Sequence, residues 1–171
     1  MGQAYLLTGM PGTGKTSIIR QAITQSNCGA GGFYTQEIRS MGIREGFRIV
    51  TLDGKEGILA HIAIDSPLRV GKYGVDISVL DNIGVEAIYN AVKQSNLVVI
   101  DEIGKMELFS PRFITAVQEA LVSPKKVLGT ITLKPHPLAD AIRQSKSIRV
   151  AELTRNNQKY VLAEILTWLK Q

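Results

Sequence analysis

The chain has 171 residues, 44% of them hydrophobic, and a net charge of +5. That length suits one domain with a real core, and no apolar run approaches the roughly 18 residues that a membrane span needs. A single cysteine, Cys28, excludes an intrachain disulfide and a Cys-rich metal centre, and the opening residues lack the basic start and cleavage site of a signal peptide.

A cytoplasmic monomer with no membrane partner is the default expectation. The positive charge favours polyanions, nucleotides and nucleic acid included. The basic residues are dispersed, however, and no aromatic-basic repeat of an RNA-stacking sheet is present, so a nucleic-acid partner is compatible but not implied.

In chain order, residues 3–8 form an apolar run of strand character, followed by a Gly-rich loop and a helix over 15–26. Gly29-Ala30-Gly31-Gly32 reads as a flexible turn and Phe33–Ile38 as a strand. Phe47–Leu52 and Ile58–Ala63 read as two strands about a turn, an antiparallel hairpin that interrupts the α/β alternation. Gly71–Asp76 reads as a loop, 79–94 as a helix, and Leu97–Glu102 as a buried strand. A helix over 111–121 has Ser110 as its cap and Pro111 at its first position. A strand over 126–131, a helix over 138–144, a strand over 148–153 and a helix over 157–169 complete the chain. Alternating strands and helices imply a mainly parallel sheet covered on both faces. One domain over residues 1–171 is expected, with 33–63 as a β-rich insertion.

The loop reads Gly9-Met10-Pro11-Gly12-Thr13-Gly14-Lys15-Thr16 and satisfies G-x-x-x-x-G-K-[ST] at every fixed position. Its glycines permit the backbone to curl around phosphate oxygens, and the helix start adds a positive dipole end that also includes Ser17. Lys15 is placed to bridge the β- and γ-phosphates and Thr16 to ligate Mg²⁺. The run ending in Asp101-Glu102 puts carboxylates at the C-terminal tip of a buried strand, where ligands bind in open α/β sheets. Asp101 is the expected Mg²⁺ partner, and Glu102 is placed to orient an attacking water.

Several longer strings resemble a known family. Asp101-Glu102-Ile103-Gly104-Lys105-Met106-Glu107-Leu108-Phe109-Ser110 is far more particular than a generic strand ending in acids. Gly32–Arg39, Gly46–Gly54, Val70–Val75 and Gly129–Ile131 match further stretches. The chain thus resembles the THEP-type, or cancer-related, nucleoside-triphosphatase family over nearly its whole length. The resemblance implies a RecA-like P-loop NTPase fold, a three-layer α/β sandwich with the antiparallel hairpin added. It implies slow, Mg²⁺-dependent hydrolysis of ATP, GTP, CTP and UTP to diphosphate and phosphate, with broad base preference. One departure stands out: where the family has an arginine after the last strand, this chain has Gln158, with Arg155 nearby. A fixed charge and a bidentate donor are missing there, so base preference does not carry over.

A further cation is expected to meet the transition-state charge. Lys105 follows Glu102 most closely. Arg39, Arg44 and Arg143 are the other candidates, with a solvated surface charge as the alternative for each. Thr130 ends a strand expected beside the site, either as a γ-phosphate sensor or as a satisfied strand-end hydroxyl. Tyr73 is read as a packed loop aromatic, with stacking on the base as the alternative. His61 and His136 have no metal-spaced partners and are read as structural. Two other functions stay open on sequence alone: a nucleotide or small-molecule kinase, and a nucleotide-switched RNA-binding module.

Overall fold

The computed structural model describes residues 3–171. One nine-stranded sheet runs through the molecule in the order β5-β6-β4-β3-β2-β7-β8-β1-β9. Its parallel part comprises β2 (Ala30–Ser40), β7 (Leu97–Ile103), β8 (Lys126–Ile131), β1 (Ala4–Thr8) and β9 (Ile148–Glu152). The antiparallel part comprises β3 (Ile43–Thr51), β4 (Glu56–His61), β6 (Tyr73–Val75) and β5 (Arg69–Val70).

Strand periodicity sorts the core into two layers. Ala4 and Leu6 of β1, with Val98 and Ile100 of β7, pack on one side with Phe33, Ile88, Phe113 and Ile142. Tyr5 and Leu7, with Leu97 and Val99, pack on the other with Ile18, Ile19, Val161 and Trp168. Side chains alternate across a strand, so near-continuous apolar runs feed both layers. Helices α3 (Glu86–Gln94), α4 (Pro111–Val122) and α5 (Pro137–Gln144) therefore cover one face. Helices α1 (Lys15–Ser26) and α6 (Gln158–Leu169) cover the other. The three-layer α/β architecture expected from sequence is present.

Local chemistry sets several boundaries. Ser110 Oγ accepts from the Phe113 amide at 3.1 Å and donates to Asp81 Oδ1, so the cap of α4 is also its tie to the preceding helix. That helix opens with a short turn, α2 (Ile77–Val79), capped by Asp76, and passes through six π-helical residues, Leu80–Val85, before α3. His136 Nδ1 caps α5 by accepting from the Leu138 amide at 3.1 Å, and His61 Nδ1 accepts from the Ala63 amide at 3.0 Å. Both histidines are structural, as read from sequence.

Three expectations are corrected. Gly29–Gly32 is not a turn, because Ala30–Gly32 begin β2. A Cβ on Gly31 would press within 2.9 Å of the Ala91 Cβ, and one on Gly32 would strike the Val99 backbone; these glycines permit close approach. The strand pair expected at 47–63 is longer and preceded by another hairpin. β2 and β3 pair about a tight turn at Met41 and Gly42, both with positive φ (50° and 78°), as two-residue hairpin turns require. The loop expected at 71–76 contains β6, which pairs with β5 about Gly71 and Lys72.

Phe33 and Phe113 are fully buried and meet edge to face, with ring centroids 6.2 Å apart. Phe33→Ala is expected to lower the unfolding free energy by about 3–5 kcal/mol in urea denaturation. A loss below about 1 kcal/mol would mean that the cavity between sheet and α4 collapses around the smaller side chain.

Candidate active site

The loop after β1 owes its shape to glycine. Gly9, Gly12 and Gly14 have φ of 147°, 79° and 90°, values that other residues rarely adopt. Thr13 Oγ1 donates to the Met10 carbonyl at 2.9 Å and pins the curl. Lys15 Nζ donates to the carbonyls of Gly9 (2.8 Å) and Met10 (3.1 Å), so the ammonium lies across the loop. From the far end of the chain, Gln158 Nε2 donates to the Thr13 carbonyl at 2.7 Å. The amide that departs from the family pattern thus braces the loop itself.

The two motifs meet through one carboxylate. Asp101, 3% exposed, accepts from Thr16 Oγ1 at 2.5 Å on Oδ2 and from Thr130 Oγ1 at 2.7 Å on Oδ1. Strand order explains this: β8 lies between β1 and β7, so Thr130 at its tip stands between the loop and the acid. Burial pushes the Asp101 carboxyl up, while the two hydroxyls and the Lys15 ammonium pull it back toward the charged form. The peptide between Asp101 and Glu102 is cis.

Glu102 points into a cavity of about 600 Å³ that it shares with Gly9, Met10, Pro11, Lys15, Lys105 and Glu107. Burial raises its carboxyl, with the neighbouring Asp101 adding and Lys15 opposing. Glu107 is 4% exposed and pushed well above the usual carboxylate range, first by burial and then by Glu102. No role for Glu107 was assigned from sequence; its place in the Asp101–Ser110 string was the one available signal.

The other candidate cations are engaged elsewhere. Arg39 pairs with Glu37 and donates to the Gly42 carbonyl at 2.9 Å. Arg44 donates to Glu37 at 3.1 Å and to the Tyr73 hydroxyl at 2.9 Å. Neither lines the cavity. Arg143 clamps the loop after β8 through the Thr132 carbonyl (2.6 Å) and Asp140 (2.8 Å). Tyr73 is a packed aromatic, edge to face with Phe47. Lys105 is exposed, lines the cavity and forms no ion pair among the described residues.

Thr16 and Asp101 together offer hard oxygen donors. No group of three or more His, Cys, Asp or Glu residues that could hold a metal is found among the described residues. This donor set fits Mg²⁺, which takes few protein oxygens and completes its octahedron with water and phosphate.

Comparison with known proteins agrees with this geometry. The family model described as NTPase matches residues 4–166. The chain is 46% identical to nucleoside-triphosphatase THEP1 of Thermotoga petrophila over 96% of its own length and 92% of the relative's. It is 39% identical to the human cancer-related nucleoside-triphosphatase, over 98% and 96%. The crystal structure of THEP1 from Aquifex aeolicus superposes with a TM-score of 0.90 at 34% identity, over 98% of this chain and 99% of that one. With a matching family model, near-complete coverage and a shared fold, this chain belongs to the NTPase family of THEP1 and the cancer-related nucleoside-triphosphatases.

Proposed function

We propose that the chain is a nucleoside-triphosphate hydrolase that cleaves the β–γ phosphoanhydride bond in the presence of Mg²⁺. In this reading turnover is slow, several bases are accepted, and one cytoplasmic domain works as a monomer. The observation that carries it is the Thr16–Asp101–Thr130 arrangement, which joins the phosphate loop to the acid strand at one point.

The chain's own groups divide the work. Backbone amides of residues 9–14 face the β-phosphate, as they do wherever glycines expose successive N–H groups ahead of a helix. Lys15 exchanges its two carbonyl partners for phosphate oxygens. Thr16 and Asp101 would hold Mg²⁺, which neutralises phosphate charge when bound. Glu102 orients a water toward the γ-phosphorus from the cavity side. Burial holds its affinity for a proton above that of a solvated glutamate, which suits a base. Lys105, at the same wall, meets charge that develops on the γ-phosphoryl oxygens. Gln158 fixes the loop's outer carbonyl, so its amide acts on loop position.

Phosphate release from ATP, GTP, CTP and UTP with Mg²⁺ tests the reading directly. Lys15→Ala should abolish turnover of every nucleotide; retained release would assign the activity elsewhere. Glu102→Gln should preserve nucleotide binding and cut turnover by about 10²–10⁴-fold, and an unchanged rate would remove this carboxylate from the mechanism. Glu107 sets a pH response of stability. Its folded-state proton affinity is raised, so above the ordinary carboxyl range the folded chain keeps a proton that the unfolded chain has released. Stability then falls as pH rises through that window. Glu107→Gln should therefore melt higher than wild type at pH 8, with the gap closing toward pH 4 in thermal scans. A wild type more stable than the variant at pH 8 would show that Glu107 is charged and paired.

A further inference from the structure

The cavity in front of Glu102 is larger than hydrolysis needs. One attacking water occupies about 30 Å³, against roughly 600 Å³ here. The nucleotide's phosphate end fills only the part bounded by Gly9–Pro11 and Lys15. The remaining wall is apolar and comes from the sheet extension and the loop after β8: Phe47, Leu59, Val70, Ile131 and Leu133. Leu59 and Ile131 are buried, Val70 is half-buried, and Leu133 is 52% exposed at the rim.

Polar groups in this chamber are ordered by depth. Glu107 is buried, Glu102 is half-buried, and Lys105 and Lys134 stand exposed at the mouth. Neither lysine forms an ion pair or a side-chain hydrogen bond among the described residues. Val70, Lys105, Thr132 and Lys134 also line a second cavity of about 480 Å³, whose other walls include Arg69 and His136. Cations therefore gather where the apolar chamber opens to solvent.

We propose that this chamber is a binding site for a second ligand, a small organic anion with a flat apolar body. The body lies against Phe47, Leu59 and Val70, the anionic group pairs with Lys105 and Lys134, and a hydroxyl or N–H reaches Glu102 and Glu107. An apolar cavity of several hundred Å³ with a few convergent polar groups is the ordinary form of a small-molecule site. Complementary charge at the rim selects the ligand's sign and steers its entry. Its position beside the γ-phosphate rests on the phosphate-loop reading; binding itself does not.

Three probes share one ring system and differ in charge: 2-naphthoate, 2-naphthylmethanol and 2-naphthylmethylamine. Each is titrated into the full-length chain saturated with Mg²⁺-ADP and followed by ¹H–¹⁵N spectra. Naphthoate should shift the amides of Leu59, Val70, Ile131 and Lys134 and bind roughly 5- to 10-fold more tightly than the amine, the scale of two exposed charge contacts. Lys134→Glu should weaken naphthoate by a similar factor, and Val70→Trp should remove binding by filling the chamber. Melting temperature and ADP affinity in both variants confirm that they fold. Absence of shifts at millimolar naphthoate, equal or tighter binding of the amine, or displacement of naphthoate by ADP would each overturn the proposal. Failure of ADP itself to bind would instead overturn the phosphate-loop reading.

Discussion

A single buried carboxylate joins the two halves of the site. Asp101 ends the strand two places from β1, yet it accepts hydrogen bonds from Thr16 at the start of α1 and from Thr130 on the strand between them. Burying a carboxylate is costly unless its oxygens are satisfied, and here each oxygen has a hydroxyl donor. The arrangement fixes the relative height of three strand tips and the angle at which α1 leaves the loop. Changing the spacing of any one of them strands a buried charge, so the geometry around the phosphate position is held by an electrostatic penalty as much as by packing.

Much of this was legible in the sequence, for a definite physical reason. In residues 9–16 and 97–102 the chemistry and the fold are written by contiguous residues, so local reading suffices. The same holds for β8, expected and found at 126–131, and for the Ser110 cap with Pro111 behind it. What was not legible depends on partners distant in sequence. Gly31 and Gly32 look like a turn until Ala91 and Val99 are placed against them. Arg39 and Arg44 look like free cations until Glu37 and Tyr73 stand beside them. Gln158 reads as a change at the base, whereas its amide grips Thr13, 145 positions away. Residue type announces a capacity for hydrogen bonding or charge; only the fold says which partner consumes it.

The antiparallel extension has a structural economy. β3, β4, β6 and β5 add little to the phosphate loop directly, since the loop's sheet neighbours are β8 and β9. They continue the same sheet past β2, so its twist carries Phe47, Leu59 and Val70 to face the loop's open side. In this way strands that a triphosphate-binding core does not require supply a wall for it. Their pairing also consumes the arginines that a sequence reading would send to the phosphates.

The position of β1 has a consequence for how the chain is made. The phosphate-loop strand comes early in sequence, but its two neighbours, β8 and β9, are the last strands of the sheet, and its loop is braced by a side chain of α6. During synthesis the most apolar edge of the molecule therefore emerges long before anything exists to cover it. Closure must await residues beyond 150, a separation that makes folding slow and late. A ribosome-bound fragment lacking β8, β9 and α6 would carry every residue of the phosphate loop and still be unable to form it, so nucleotide capture would report completion of the chain.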